Sequence, residues 1–247
     1  MIARNCSAHD DRYVSLIIPV YNESETILAV VDEATRVLDG LSQPYEMLVI
    51  NDGSTDETAE VLSQAQESRP ALRVLTITPN SGQSAAFGVG FRECRGRIAV
   101  LMDGDGQNDP HDIPTLLDGL HDSDVCCGYR ASRRDTWSKR LGSRMANTVR
   151  RWFLGDGIKD TGCSLKAIKA ECLRDLPMAL RGMHRFLPAL LLMRGAKLAQ
   201  VPVNHRPRSA GRSKYTNFGR LTETVWDLWA VRWMQKRYRR YRVTGGA

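Results

Sequence analysis

Between Asp175 and Glu223 the sequence has no acidic residue, while the same span holds nine cations from Arg181 to Arg220. A chain this short of carboxylates in its second half offers little there to take a proton from a hydroxyl nucleophile. What it offers is positive charge, which suits an anionic partner. Long apolar runs are also missing. The longest, "FLPALLLM" at 186–193, falls far short of the roughly 20 residues a membrane-spanning helix needs. The N-terminal "MIARNCSAHDDRY" lacks the apolar core of a secretion signal and reads as a loose lead-in over 1–13. The six cysteines show neither zinc-ligand spacing nor a disulfide framework, so reduced thiols and a cytoplasmic setting are expected. Repeats and low-complexity linkers are absent. The expected organisation is one domain over 14–215, followed by a helix and tail over 216–247.

What remains is the composition of a folded domain, 42% hydrophobic and 26% charged. "VSLIIPV" (14–20), "EMLVI" (46–50), "LRVLTIT" (72–78), "IAVLM" (98–102) and "DVCCGY" (124–129) are short apolar runs that predict buried strands. Between them, helical spacing appears at Ile27, Val30, Val31, Ala34, Val37, Leu38 and Leu41, and helices are predicted through about Ser68, after "PNSGQ" and near 112–120. Asn22 with Glu25, and Ser54 with Glu57, match capping boxes for the first two helices. The adjacent Cys126 and Cys127 are expected on opposite faces of their strand. Strands alternating with helices predict an α/β fold, a mostly parallel sheet covered on both faces. Ligands of such sheets bind beyond the carboxyl ends of the strands. Tyr21, Asn22, Glu23, Asp52, Asn80, Gly82, Asp103 and Asp105 all stand there.

"DGDGQND" ends the fourth strand. Two aspartates one residue apart, with the Gln107 amide, are hard oxygen donors for a divalent cation, and Gly104 and Gly106 let the backbone turn tightly. The pattern also suits a solvated acidic turn. A calcium-binding EF-hand is excluded, because the twelfth position counted from Asp103 is Pro114 rather than Glu. "VINDGSTDET" puts an Asp at a strand end and Gly-Ser-Thr at a helix start, where amides can face an anion; it equally suits an ordinary strand-to-helix turn. Gly88 and Gly90 do not make a dinucleotide fingerprint, since Glu93 stands where the third glycine belongs.

Together "IIPVYNESETI", "VINDGSTDET", "NSGQSAAFGVGF" and "VLMDGDGQNDP" resemble, in order and spacing, the inverting family 2 nucleotide-sugar glycosyltransferases of GT-A fold. "DTGCSLKAIKAE" and "RSAGRSKY" resemble later motifs of the polyprenyl-phosphate branch, the dolichol-phosphate mannose synthase type. The resemblance covers roughly 14–220. It implies nucleotide contacts at Pro19, Tyr21, Glu23 and Asp52. It implies Mg2+ or Mn2+ and the donor diphosphate at Asp103, Asp105 and Gln107. Acceptor-phosphate contacts are implied at Arg130, at Lys139 or Arg140, and at Ser143, with Arg208, Ser213 and Lys214 closing over the phosphates. This sequence departs from the family in having glycine both between the two aspartates and after them, where a small apolar residue and a Leu or Val are usual; that loosens the turn.

The acceptor can be argued from the residues. A hydroxyl acceptor needs a general base, normally Asp, and the segment before the last core helix, "LRGMHRFLPALLLMRG", has none. A phosphate monoester, with its second pKa at about 6, is already ionised at pH 7 and needs only cations to place it. Asp160 and His184 are the remaining base candidates. Asp160 also suits a turn aspartate that orients a substrate, and His184 reads as a cap before a helix. The basic run "KRLGSRMANTVRRWF" has Leu141, Met145, Val149 and Trp152 at helical spacing, either a solvated amphipathic helix or an acceptor-facing edge. Trp226, Trp229 and Trp233 share a helical face ahead of a basic tail. This predicts a helix lying on an anionic membrane, at the cytoplasmic face, or else packed on its own domain or a partner. The expected reaction is sugar transfer from a GDP- or UDP-sugar to a polyprenyl phosphate. Transfer to a glycan or lipid hydroxyl with Asp160 as base is the alternative. A nucleic-acid partner is not expected, because no RNA-binding signature accompanies the basic tail.

Overall fold

A computed structural model describes residues 13–131, 148–207 and 217–240, the side chains of 217–223 excepted. Lys139, Arg140, Ser143, Arg208, Ser213, Lys214 and most of the lead-in lie outside the described residues.

The five anticipated strands form: β1 (Val14–Val20), β2 (Tyr45–Asn51), β3 (Leu72–Thr76), β4 (Ile98–Leu101) and β5 (Val125–Arg130). Two more, β6 (Lys166–Lys169) and β7 (Leu198–Val203), complete a seven-stranded sheet of order β3-β2-β1-β4-β6-β5-β7. β6 runs antiparallel to both of its neighbours, and all other pairings are parallel. The helices are α1 (Ile27–Asp39), α2 (Thr58–Glu67), α3 (Gln83–Glu93), α4 (Ile113–Asp118), α5 (described over 148–154), α6 (Leu187–Arg194) and α7 (Asn217–Arg237).

Both sheet faces are covered, which is why the strands read as continuous apolar runs rather than alternating ones. Leu16 and Ile18 of β1 pack with Val30, Val31, Ala34 and Leu38 of α1, while Ile17 packs on the other face with Phe87 of α3 and Leu190 of α6. Cys126 and Cys127 fall into these two opposite clusters, as strand alternation requires. Pro19 is tolerated in a central strand because the β1–β4 ladder ends at Ile17, so its missing N–H forfeits no bond on that side.

Neither anticipated capping box forms. Asn22 adopts a left-handed conformation (φ 53°), and its Oδ1 accepts from the Thr55 amide at 2.7 Å while its own N–H donates to Ser54 Oγ at 2.9 Å. At the start of α2, Asp56 replaces Ser54. Its carboxylate accepts from the Thr58 amide at 3.0 Å and from Ser24 Oγ at 2.9 Å. The polar residues after β1 and β2 thus bind each other across adjacent strand ends, where better partners lie than in their own helices. These bonds make the two loops one rim of the crevice.

Candidate active site

The crevice opens at the carboxyl ends of β1, β2, β4 and β5, and it assembles the predicted residues in three groups. The first surrounds Asp52, which is buried beyond β2. Its Oδ1 accepts from the Ser81 amide (2.8 Å), and its Oδ2 accepts from the Gly82 amide (2.7 Å) and Asn80 Nδ2 (3.0 Å). Asp52, Asn80 and Gly82 are therefore joined directly, with the carboxylate shaping the loop that leads into α3. Tyr21 and Glu23 stand half-buried on the neighbouring rim. Thr26 Oγ1 bonds both Glu23 Oε2 (3.1 Å) and the Gly104 carbonyl (3.4 Å), linking that rim to the next group.

The second group is the loop after β4. Gln83 Nε2, at the start of α3, donates to Asp103 Oδ1 at 2.7 Å. The Asp103 amide donates to Asn108 Oδ1 (2.9 Å), which also accepts from Ser164 Oγ (2.8 Å), so the loop closes on itself. The Gln107 amide donates to Asp105 Oδ1 at 3.1 Å. Burial, and then the charge of Asp105, push the Asp103 carboxyl up to about 6, with Ser164, Lys166 and Arg130 opposing. Two carboxylates whose mutual repulsion is only partly relieved by nearby cations, with an amide beside them, are a donor set that fits a hard divalent ion.

The two glycines of this loop differ in their reasons. Gly106 has a φ of 74°, where side chains are strained. Gly104 does not; a Cβ there would come within 2.5 Å of Val20 Cγ1. The glycine between the aspartates is thus required by packing against β1, not by the turn.

The third group joins Arg130 to Asp160. Arg130 ends β5, and its fork is held by Asp160: Nε donates to Oδ2 at 2.7 Å and Nη2 to Oδ1 at 2.9 Å, with both side chains largely buried. The Gly162 amide adds a bond to Asp160 Oδ1 at 3.0 Å. Gly162 also gives Arg130 its room, since a Cβ there would lie 2.6 Å from Nη2. The aspartate is here the bidentate charge partner of the guanidinium at the end of β5. Asp160's loop is itself braced by a buried pair, Arg150 with Asp156. His184, read as a helix cap, instead joins α6's lead-in to α3: its Nδ1 lies 2.8 Å from the buried Ser84 Oγ.

Sequence reasoning missed Gln83, Asn108, Ser164 and Lys166. Only Lys166 left a trace, as a lysine between Leu165 and the apolar pair Ala167 and Ile168, at the start of β6. It is buried, bonds the Cys163 carbonyl and sits opposite Leu101 of β4.

With this geometry established, comparison with known proteins is decisive. Residues 15–176 match the profile of "Glycosyl transferase family 2". The chain belongs to that family. Among its relatives, the undecaprenyl-phosphate 4-deoxy-4-formamido-L-arabinose transferase of Edwardsiella ictaluri (strain 93-146) is 31% identical over 220 residues, 88% of this chain and 67% of the relative. The enzyme of the same name from Enterobacter sp. (strain 638) is 34% identical over 218 residues, 87% of this chain and 66% of the relative. The chain thus spans about two thirds of these relatives, whose names bear out the likeness to the polyprenyl-phosphate branch. Among solved structures, Mycobacterium tuberculosis glucosyl-3-phosphoglycerate synthase, in complex with Mn2+, UDP and phosphoglyceric acid, has a TM-score of 0.67 at 22% identity. That likeness covers 93% of this chain and 80% of that one. A mannosyltransferase from Pyrobaculum calidifontis in complex with GDP-Man and Mn2+ has a TM-score of 0.60 at 21% identity, over 82% of this chain and 58% of that one. These similarities show the GT-A fold that the family resemblance implied.

Proposed function

We propose that this family 2 protein transfers a sugar from a nucleotide-sugar donor, GDP- or UDP-linked, to a polyprenyl phosphate with inversion at the anomeric carbon. The observation that carries the reading is the Arg130–Asp160 pair. Where a hydroxyl acceptor would need an available carboxylate, this crevice presents a guanidinium whose fork already engages the aspartate. A phosphate acceptor needs that cation and no base. The relatives named as undecaprenyl-phosphate sugar transferases support the same choice.

In this reading the loop over Asp52, Asn80 and Gly82 shapes the nucleotide pocket with Pro19, Tyr21 and Glu23. Asp103, Asp105 and Gln107 hold Mg2+ or Mn2+. When bound, the metal supplies positive charge for the leaving diphosphate. Arg130 orients the acceptor phosphate, with Lys139 or Arg140 and Ser143 as further contacts. An acceptor oxygen attacks the anomeric carbon as the bond to the nucleoside diphosphate breaks, and the bonding electrons leave with the diphosphate. Arg208, Ser213 and Lys214 complete the cover over the phosphates.

The acceptor's lipid places the reaction at a membrane. Among the described residues no helix is long and apolar enough to cross one. α7 packs inward through Val231, Leu228 and Met234, while Trp226, Trp229 and Trp233 are 75%, 59% and 63% exposed. Trp152 of α5, 84% exposed, stands on the helix whose Phe153 ring meets Trp229 edge-on. This arrangement supports an interfacial surface with Lys236, Arg237 and Arg239 facing anionic headgroups on the cytoplasmic side. Replacing the three α7 tryptophans by serine is expected to abolish sedimentation with vesicles containing phosphatidylglycerol.

The test of function is incubation with undecaprenyl phosphate, Mn2+ and a panel of labelled GDP- and UDP-sugars. Label entering the lipid phase from one donor, and lost on adding EDTA, is the expected result. Label entering only a water-soluble glycan would overturn the phosphate acceptor.

A further inference from the structure

Arg206, just beyond β7, has no role in the reading above, yet it meets the loop after β4 from several sides. Its amide donates to the Gln107 carbonyl at 2.9 Å, and Gln107 Nε2 reaches back to the Arg206 carbonyl at 3.5 Å. His205 and Asn108 form an antiparallel bridge beside them. The side chain goes further. Nη1 pairs with Glu33 Oε2 at 2.8 Å and Nη2 with Asp109 Oδ1 at 2.7 Å. Asn204 completes the brace, its amide donating to Asp112 Oδ2 at 2.6 Å.

Glu33, Asp109 and His111 bring ligand-type atoms within 4.8 Å of one another, the spacing of a metal cluster. The guanidinium supplies the positive charge there, so the cluster is an ion-pair network. Asp109 reflects this. Burial alone would raise its carboxyl, but the His111 amide and side chain and Arg206 hold it below the ordinary range. Arg206 is itself held further toward its charged form by Glu33 and Asp109.

We infer that Arg206 is a positioning residue for the metal ligands, fixing Asp105 and Gln107 in their binding geometry by tying the far end of their loop to α1. The path is short. Glu33 is carried by α1, whose Val30, Val31 and Ala34 are locked in the core. Arg206 spans from that helix to Asp109 and by its backbone to Gln107, whose amide bonds Asp105 Oδ1. The near end of the loop has its own anchors at Gln83 and Asn108. Without the guanidinium the far end keeps backbone bonds but loses its fixed reference, and two metal donors lose their preorganisation. A purely structural ion pair of such partly exposed groups would change stability little and metal affinity not at all.

The inference rests on the proposed metal site, and the experiment separates the two. Mn2+ binding to the full chain is measured by the free-ion EPR signal with UDP, and again with GDP, while nucleotide affinity in EDTA and Tm are followed in parallel. Arg206→Met is expected to weaken Mn2+ binding about tenfold, the low end for losing a partner that orients a metal ligand. Nucleotide affinity in EDTA stays unchanged, Arg206→Lys recovers part of the loss, and Glu33→Gln, removing one anchor, falls between. Asp105→Ala abolishes Mn2+ binding with the fold retained. If Asp105→Ala loses Mn2+ while Arg206→Met and Glu33→Gln stay within about twofold of wild type, the positioning role is overturned and the metal site stands. If wild type binds no Mn2+ with either nucleotide, the metal site falls and this inference with it.

Discussion

Replacing Asp160 by Asn decides between its two possible roles. The Arg130–Asp160 pair is bidentate and largely buried. Removing one partner of a buried pair outright costs about 3–5 kcal/mol, because the other charge is stranded. Asparagine keeps the shape and one accepting oxygen but turns an amide N–H toward the guanidinium, so about 2–3 kcal/mol is the reasoned loss. For a domain of this size that is a Tm decrease of about 5–10 °C. Arg130 would remain but lose its charge partner, so the acceptor KM should rise more than kcat falls. The assay is thermal unfolding together with initial rates against undecaprenyl phosphate, on wild type, Asp160→Asn, Arg130→Met and the double variant. The two single losses should overlap in the double variant, since contacting residues are coupled by about 0.5–3 kcal/mol. A kcat lowered more than about 1,000-fold, with Tm and acceptor KM unchanged, would identify Asp160 as a general base and refute the reasoning.

Three further outcomes follow from the same contacts. Because Asp103 is raised to about 6 from an ordinary 3.8, the folded metal-free protein binds a proton there before the unfolded chain does. Its stability should therefore rise as pH falls from 7 to 5, by about 1.3 kcal/mol, while Mn2+ binding weakens. Asp103→Asn should remove this increment in paired unfolding curves; an identical pH dependence in the variant would count against it. Glu46 is buried and accepts from Ser15 Oγ and the Arg95 amide, both at 2.7 Å, and pairs with Arg73. Glu46→Gln should cost about 2–4 kcal/mol in urea unfolding, and a change under about 0.5 kcal/mol would show the network to be dispensable. Gly104→Ala forces a methyl into Val20, a stiff β-branched neighbour. It should cost about 1–3 kcal/mol, with Val20→Ala restoring part of the loss; additive losses would place the strain elsewhere.

The architecture was legible because its determinants are local. The runs at 14–20, 46–50 and 98–102 announce strands buried on both faces, and the spacing from Ile27 to Leu38 announces the helix packed on them. Once the alternation of strands and helices is read, the chain direction of a parallel sheet places Asp52, Asn80, Gly82, Asp103 and Asp105 at one edge. β6 and β7 were not legible: β6 has a buried lysine in its run, and β7 is a half-exposed edge strand with Pro202 inside it.

What only the tertiary structure decided is which polar group each of these residues meets. Asn22 and Ser54 carry the right residue types for caps, but they bond each other's loops, 32 and 33 positions apart. Asp160 has the chemistry of a base, and only the fold shows that Arg130, 30 positions away, holds it. Arg206 looks like one cation among many until Glu33, 173 positions earlier, is found beside it. Hydrophobic periodicity repeats along the chain and can be read there, whereas a hydrogen bond is satisfied by whatever partner folding brings within about 3 Å.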